Sequence, residues 1–355
     1  MPKNKIYIAL ILLGLGVGIL FGIYHQNKPS DPLANVNLQQ EKSPSLRPFW
    51  KSLGILPGEN LEAWEKRQKQ ENGGIFDFYH QQILQTDAAS TYALWQNPGV
   101  DSLTRDVDAF WTSNDPDVVE AQHQLNKVLG RYRSLIQSAA GIPSDSLPKI
   151  PTPVGMVSLF QYQCVLSDSN LWVGLDLFMK ENYRYYPTVE QLYLYQRRRT
   201  HPRHLPVAIA RTLSEDLVDT YQPGPLGGKL LDRVLREGRI MTCLRWLLPE
   251  TPDSLLLGYQ PDQWQWIVEN ENQVWKQIVS QNALFSEDPL LTSRYLSDGP
   301  FTSGLAPNSP PALGRYFGDR IVQKWLSQQK QIKGWLQQKN NPETLLQESG
   351  YRGRS

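Results

Sequence analysis

The segment Leu213-Ser214-Glu215-Asp216-Leu217-Val218 has the texture of a metal-binding peptidase helix without its ligands. That chemistry uses His-Glu-x-x-His, two imidazoles one helical turn apart with the glutamate as general base. Here Ser214 and Val218 stand at the histidine positions and Glu215 at that of the base. Glu237-Gly238, on the next apolar stretch, stands where a third ligand would lie. Zinc needs three protein ligands before its water becomes a nucleophile near neutral pH. The 5 histidines are His25, His80, His123, His201 and His204; no two lie four apart, and none follows His204. The sequence therefore predicts no metal and no cofactor, with Glu215 and Glu237 as remnants of a catalytic set. The alternative is an enzyme, either a metallopeptidase with unusual ligands or a hydrolase using these two carboxylates. A plainer reading puts Glu215, Asp216 and Asp219 on a solvated helix face and pairs Glu237 with Arg233, Arg236 or Arg239.

The strongest basic patch is Arg197-Arg198-Arg199, followed by His201-Pro202-Arg203-His204. Arg197, Arg198, Arg199 and Arg203 are candidates for docking an acidic protein partner, against the plainer reading of a solvated loop. A formal net charge of +1 gives no global field for nucleic acid, which is excluded as a partner. Tyr183, Tyr185, Tyr186, Tyr193 and Tyr195 would suit a carbohydrate-binding face if exposed, although core packing is the commoner fate of such rings. Gly227-Gly228-Lys229 lacks the spacing of a phosphate loop, and no Gly-x-Ser-x-Gly elbow is present. The 2 cysteines, Cys164 and Cys243, sit in apolar surroundings and read as buried thiols, with a disulfide left open.

The elements that must position these residues follow from hydrophobic patterning. Ile6 to Tyr24 is an uncharged apolar run preceded by Lys3 and Lys5. As a helix it would be roughly 28 Å long, close to bilayer thickness, and the lysines would hold its start in the cytoplasm. Residues 1–27 thus read as a transmembrane signal anchor and 28–49 as a flexible linker. Residues 50–355 read as one globular domain facing the periplasm. Helices are expected from the Asp115-Pro116 cap onward and over Leu205–Tyr221, Leu230–Leu248, Asp262–Phe285 and Leu313–Gln329. Val154–Phe160 and Asn170–Leu177 read as two strands joined by a turn at Asp168. The fold class is α+β, mostly helical, with a small sheet.

Several stretches together resemble the GldB-type gliding-motility lipoproteins of the Bacteroidetes. They include Asp108-Ala109-Phe110-Trp111, Trp172-Val173-Gly174-Leu175-Asp176-Leu177-Phe178, Arg236-Glu237-Gly238-Arg239 and Leu257-Gly258-Tyr259. Trp266 to Glu271, Asp298-Gly299-Pro300-Phe301-Thr302, Gly314 to Val322 and Ser349-Gly350-Tyr351 complete the series. The resemblance runs from about residue 75 to the C-terminus. It implies a zincin-like domain with a degenerate metal site and an envelope protein with partners in the gliding and secretion machinery. It implies no enzymatic activity. The family's lipobox cysteine is missing here, so the membrane contact would fall to residues 6–24.

Overall fold

The computed structural model describes residues 38–354 apart from Asp168, Gln191 and residues 223–225. The expected anchor at 6–24, the start of the linker and the turn at Asp168 lie outside the described residues. Among the described residues no helix is long and apolar enough to cross a membrane.

Ten helices of eight or more residues are described: α1 Leu61–Asn72, α2 Ala88–Trp95, α3 Pro98–Trp111, α4 Pro116–Ala139, α5 Leu205–Tyr221, α6 Leu230–Leu247, α7 Pro261–Ser280, α8 Pro289–Leu296, α9 Leu313–Leu326 and α10 Pro342–Ser349. The Asp115 cap holds as expected: its carboxylate accepts from the Asp117 N–H, and Pro116 opens α4, where a missing N–H costs nothing. The helix expected over Asp262–Phe285 is shorter than its apolar pattern. It stops at Ser280, Asn282 turns left-handed (φ 52°), and Ala283–Phe285 forms a separate 3-10 turn.

A four-stranded sheet of β1 Arg47–Pro48, β2 Thr152–Met156, β3 Cys164–Leu166 and β4 Asn170–Gly174 has the order β1-β2-β4-β3. The two expected strands are parallel neighbours rather than a hairpin, with Val154 beside Trp172. The hairpin partner of β4 is β3, paired antiparallel through Val165 and Trp172. The chain leaves β2, passes over the position of β4, and returns along β3. Both expected strands also end early. Leu159 and Phe160 take left-handed backbone (φ 53° and 64°), and β4 gives way to a 3-10 turn at Leu175–Leu177. The buried Asp176 carboxylate ties the two ends together. It accepts from the backbone N–H of Ser158 (2.9 Å) and Phe160 (2.6 Å) and from the Ser158 hydroxyl.

Strand alternation divides the core between the sheet's faces. Val154, Met156 and Trp172 pack with Phe49, Trp64 and Tyr79 on one side, while Leu171, Val173 and Leu175 join the large helical core on the other. Of the stretch expected as linker, residues 39–43 lie on α4 and Arg47–Pro48 form β1. The Glu41 N–H donates to the Gly130 carbonyl at 2.9 Å, and Arg133 pairs with Glu41 at 2.9 Å. A Cβ on Gly130 would come within 1.8 Å of the Gln40 side chain, so this docking requires glycine.

Candidate functional site

Of the four positions the peptidase pattern selects on α5 and α6, Ser214 and Val218 enter the core while Glu215 and Glu237 meet one guanidinium. Ser214 and Val218 point into the core, both fully buried, and the Ser214 hydroxyl donates to the Ala210 carbonyl one turn back. Glu215 lies on a different face, at the surface, and shares it with Arg211 one turn earlier. The Arg211 Nε holds Glu215 at 2.8 Å, and its Nη2 reaches across to Glu237 on α6 at 2.7 Å. The two expected carboxylates do converge, and the group between them is a guanidinium. Arg211 was absent from the sequence candidates, although an acid four residues after a base on one helix is a readable pair.

Glu237 is the buried member, with its side chain 13% exposed against 38% for Glu215. Besides Arg211 it is approached by Arg315 on α9 (3.5 Å) and Arg236 (3.7 Å). Of its expected partners only Arg236 is near, and that guanidinium is mainly engaged by Asp219 at 2.6 and 2.8 Å. Burial opposes ionisation of Glu237, but the charges of Arg211 and Arg315 prevail and hold its pKa below the ordinary value. Arg211 is likewise resisted by burial and restored by Glu237 and Glu215, so its pKa is raised. Arg315 goes the other way: burial and the nearby Arg211 lower it. Its Nε and the neighbouring Tyr259 hydroxyl are buried without a hydrogen-bond partner. The arrangement can hold charge in place. As it stands it offers no free carboxylate to take a proton or grip a cation.

The basic run sorts into held and free members. The Arg197 Nε donates to the Leu192 carbonyl at 3.0 Å, and Arg199 pairs with Asp298 at 2.5 Å. Arg198 and Arg203 are exposed, and their side chains have no partner among the described residues. His201 faces Asp117 at 3.4 Å. His204 is buried, and burial with the Arg203 charge pushes its pKa down to about 3, which keeps it neutral.

The tyrosines divide as well. Tyr186 is fully buried, with its hydroxyl donating to the Asp176 carbonyl, and Tyr183 and Tyr185 pack half-buried near it. Tyr193 is exposed and stacks on Tyr195, their planes 7° apart. The Arg199 guanidinium lies 5.9 Å from the centre of the Tyr195 ring. A continuous five-tyrosine face is therefore not formed. Cys164 and Cys243 are both free thiols.

Beside Tyr195 lies a cavity of about 190 Å³, walled by Arg198 and Arg199 on one side and by Gln260, Gln263 and Pro300 on the other. The sequence marks Tyr195, Arg198 and Arg199 singly but does not join them to Gln260, Gln263 and Pro300, which come from distant segments.

No curated protein and no solved structure matches the chain. The family model described as gliding motility protein GldB does match, over residues 45–353. That span takes in the whole sheet, the Arg211–Glu215–Glu237 cluster and the walls of the cavity, and the chain belongs to the family of gliding motility protein GldB.

Proposed function

We propose that the protein is a non-enzymatic binding scaffold of the gliding and secretion apparatus, tethered through residues 6–24 with its folded domain in the periplasm. Family membership supports a gliding-motility role, an envelope location and protein partners. The observation that carries the non-enzymatic part is Arg211. Arg211 on α5 lies between Glu215, one turn later on the same helix, and Glu237 on the following helix. A guanidinium stays protonated at any physiological pH and has no lone pair for a metal. It occupies both carboxylates that the rival peptidase or hydrolase would need. In this reading the domain is zincin-like with an arginine in place of the metal, and the free arginines Arg198 and Arg203 serve docking.

The test has two arms. A deletion strain should lose colony spreading and adhesin secretion, and normal behaviour in both would remove the motility role. The purified full chain should show neither stoichiometric zinc nor peptidase activity. Zinc at one equivalent, with a peptidase activity abolished in Glu237→Gln, would establish the enzyme instead.

A further inference from the structure

The cavity beside Tyr195 has a size, a charge and a rim that together select a ligand class. At about 190 Å³ it is smaller than the roughly 300–1,000 Å³ of ordinary metabolite pockets. It has room for one or two side chains. None of the described lining residues is acidic, and two are arginines. Arg199 is already held by Asp298, whereas Arg198 has no partner among the described residues. The far wall is the first turn of α7, a 20-residue helix, where the Gln263 side-chain Oε1 accepts from the Gln260 N–H and its Nε2 donates to the Pro300 carbonyl. These bonds fix the wall, and the positive end of the helix favours an anion there, with Asp262 in the same turn offsetting part of that field.

The rim is apolar and uncovered. Leu194, which lines the mouth, is 67% exposed, and the adjacent Tyr193 is 60% exposed. Tyr193 ends a ladder of Arg199, Tyr195 and Tyr193, so its outer face is free to stack on a partner group. An exposed aromatic and leucine beside an unpaired arginine suit a docked chain better than a diffusing ion.

Resting on the scaffold reading above, we infer that this cavity takes an acidic side chain from an extended segment of a partner protein. The carboxylate sits between Arg198 and the start of α7, with flanking residues of the segment against Tyr193 and Leu194. Arg198 supplies the specificity, because it is the lining charge that has no other carboxylate to hold.

The experiment uses the full chain and a fluorescent Ser-Glu repeat peptide, with a Ser-Gln peptide of equal length as reference. Saturable binding of the first, at least about tenfold tighter than the second and weakened by salt, is expected. Arg198→Glu should abolish it without altering the thermal midpoint, while Lys66→Glu, an equal charge change on the exposed face of α1, should not. Equal binding of both peptides, or full binding by Arg198→Glu, would overturn the inference. So would binding of oligogalacturonate with none of the peptide, since that marks an acidic-sugar site. In cells, a deletion that stops spreading beside an Arg198→Glu strain that spreads normally would remove this site alone. A deletion that spreads normally would remove the motility role while leaving peptide binding to stand.

Discussion

Gly238 on α6 and Gly318 on α9 stand backbone against backbone. A Cβ on Gly238 would meet the Gly318 carbonyl oxygen at 2.2 Å, and one on Gly318 would meet the Val234 carbonyl oxygen at 2.0 Å. Rigid backbone fills both spaces, so a methyl group can enter only by separating the helices. The contact also sets the electrostatics of the site. Glu237 precedes Gly238, and Arg315 lies one turn before Gly318, so the close approach brings Arg315 to 3.5 Å from the carboxylate. Gly318→Ala should destabilise the fold by about 3 kcal/mol, the upper range for overpacking. Equilibrium unfolding in urea measures this. An unchanged midpoint would show that the helices do not rely on this contact.

Arg211 is the second point of leverage. Arg211→Met keeps the length of the side chain and removes the charge between Glu215 and Glu237. Leaving a buried carboxylate with weaker partners costs about 3–5 kcal/mol when a pair is broken from one side. The double variant Arg211→Met/Glu237→Leu should recover part of that loss, since the buried carboxylate goes with its partner while Arg315 gives up its contact with Glu237. Denaturation of the two singles and the double gives the coupling, and additive losses would contradict the pairing. The same pair fixes a pH dependence. The folded-state pKa of Glu237 is lowered from 4.5, so its contribution is present above that value and is lost as the pH falls through the folded-state pKa. Stability of the wild type should therefore fall more steeply in this acid range than that of the double variant.

Asp176 carries the opposite sign. Burial outweighs its backbone and hydroxyl donors and pushes its pKa up to about 6 from 3.8. A raised carboxyl contributes stability that is fully present below the unfolded pKa and is lost as the pH rises through about 6. Asp176→Asn turns an amide towards one of the donating N–H groups and should cost about 1–3 kcal/mol. The difference from wild type should narrow between pH 4 and pH 7, because only the wild type loses stability there. A difference that is constant across this range would show that Asp176 does not titrate in the folded state.

What the sequence displayed and what it concealed follow from the reach of each signal. Leu205–Tyr221 is legible to both ends because an apolar stripe of period 3.6 runs its whole length. The sheet is legible only as two apolar runs. Both faces of β2 and β4 are buried, so no alternation shows which residue faces where, and β3 is only three residues long. The sequence shows Glu215 and Glu237 as acids on consecutive helices but does not place them relative to each other. Their partner was missed because the histidine pattern directs attention to Ser214 and Val218, whose side chains turn into the core. The stretches that carry the family resemblance prove largely architectural. Gly238 and Gly318 set a helix contact, and Asp319 with Asp253 holds Arg245, which joins α6 to α9.

The last structural device is Glu271, which anchors the end of the chain. It is 4% exposed in the middle of α7, and one carboxylate oxygen accepts from the Tyr316 hydroxyl at 2.5 Å, the other from the Tyr351 hydroxyl at 2.7 Å. Tyr351 also meets Trp275 edge to face, with ring centres 4.7 Å apart. A buried carboxylate with two hydroxyl donors is satisfied, and one that loses a donor keeps its desolvation cost without the compensating bond. Tyr351→Phe retains the ring contact, so it isolates the hydrogen bond and should cost about 1.5–3 kcal/mol. Tyr351→Phe/Glu271→Gln should be less damaging than the sum of the singles, because the neutral amide no longer requires two donors. The same logic predicts that Tyr351→Phe loosens the C-terminal segment first: Lys324 donates to the Gly350 carbonyl and Gln328 to that of Ser349, bonds that depend on the tyrosine holding this stretch against α7 and α9. Hydrogen exchange over α10 and residues 349–354 should accelerate at least about tenfold in the variant, while exchange in the centre of α5 should change only by the loss in global stability. Uniform acceleration across all helices would show that Glu271 serves the whole core rather than the closing segment.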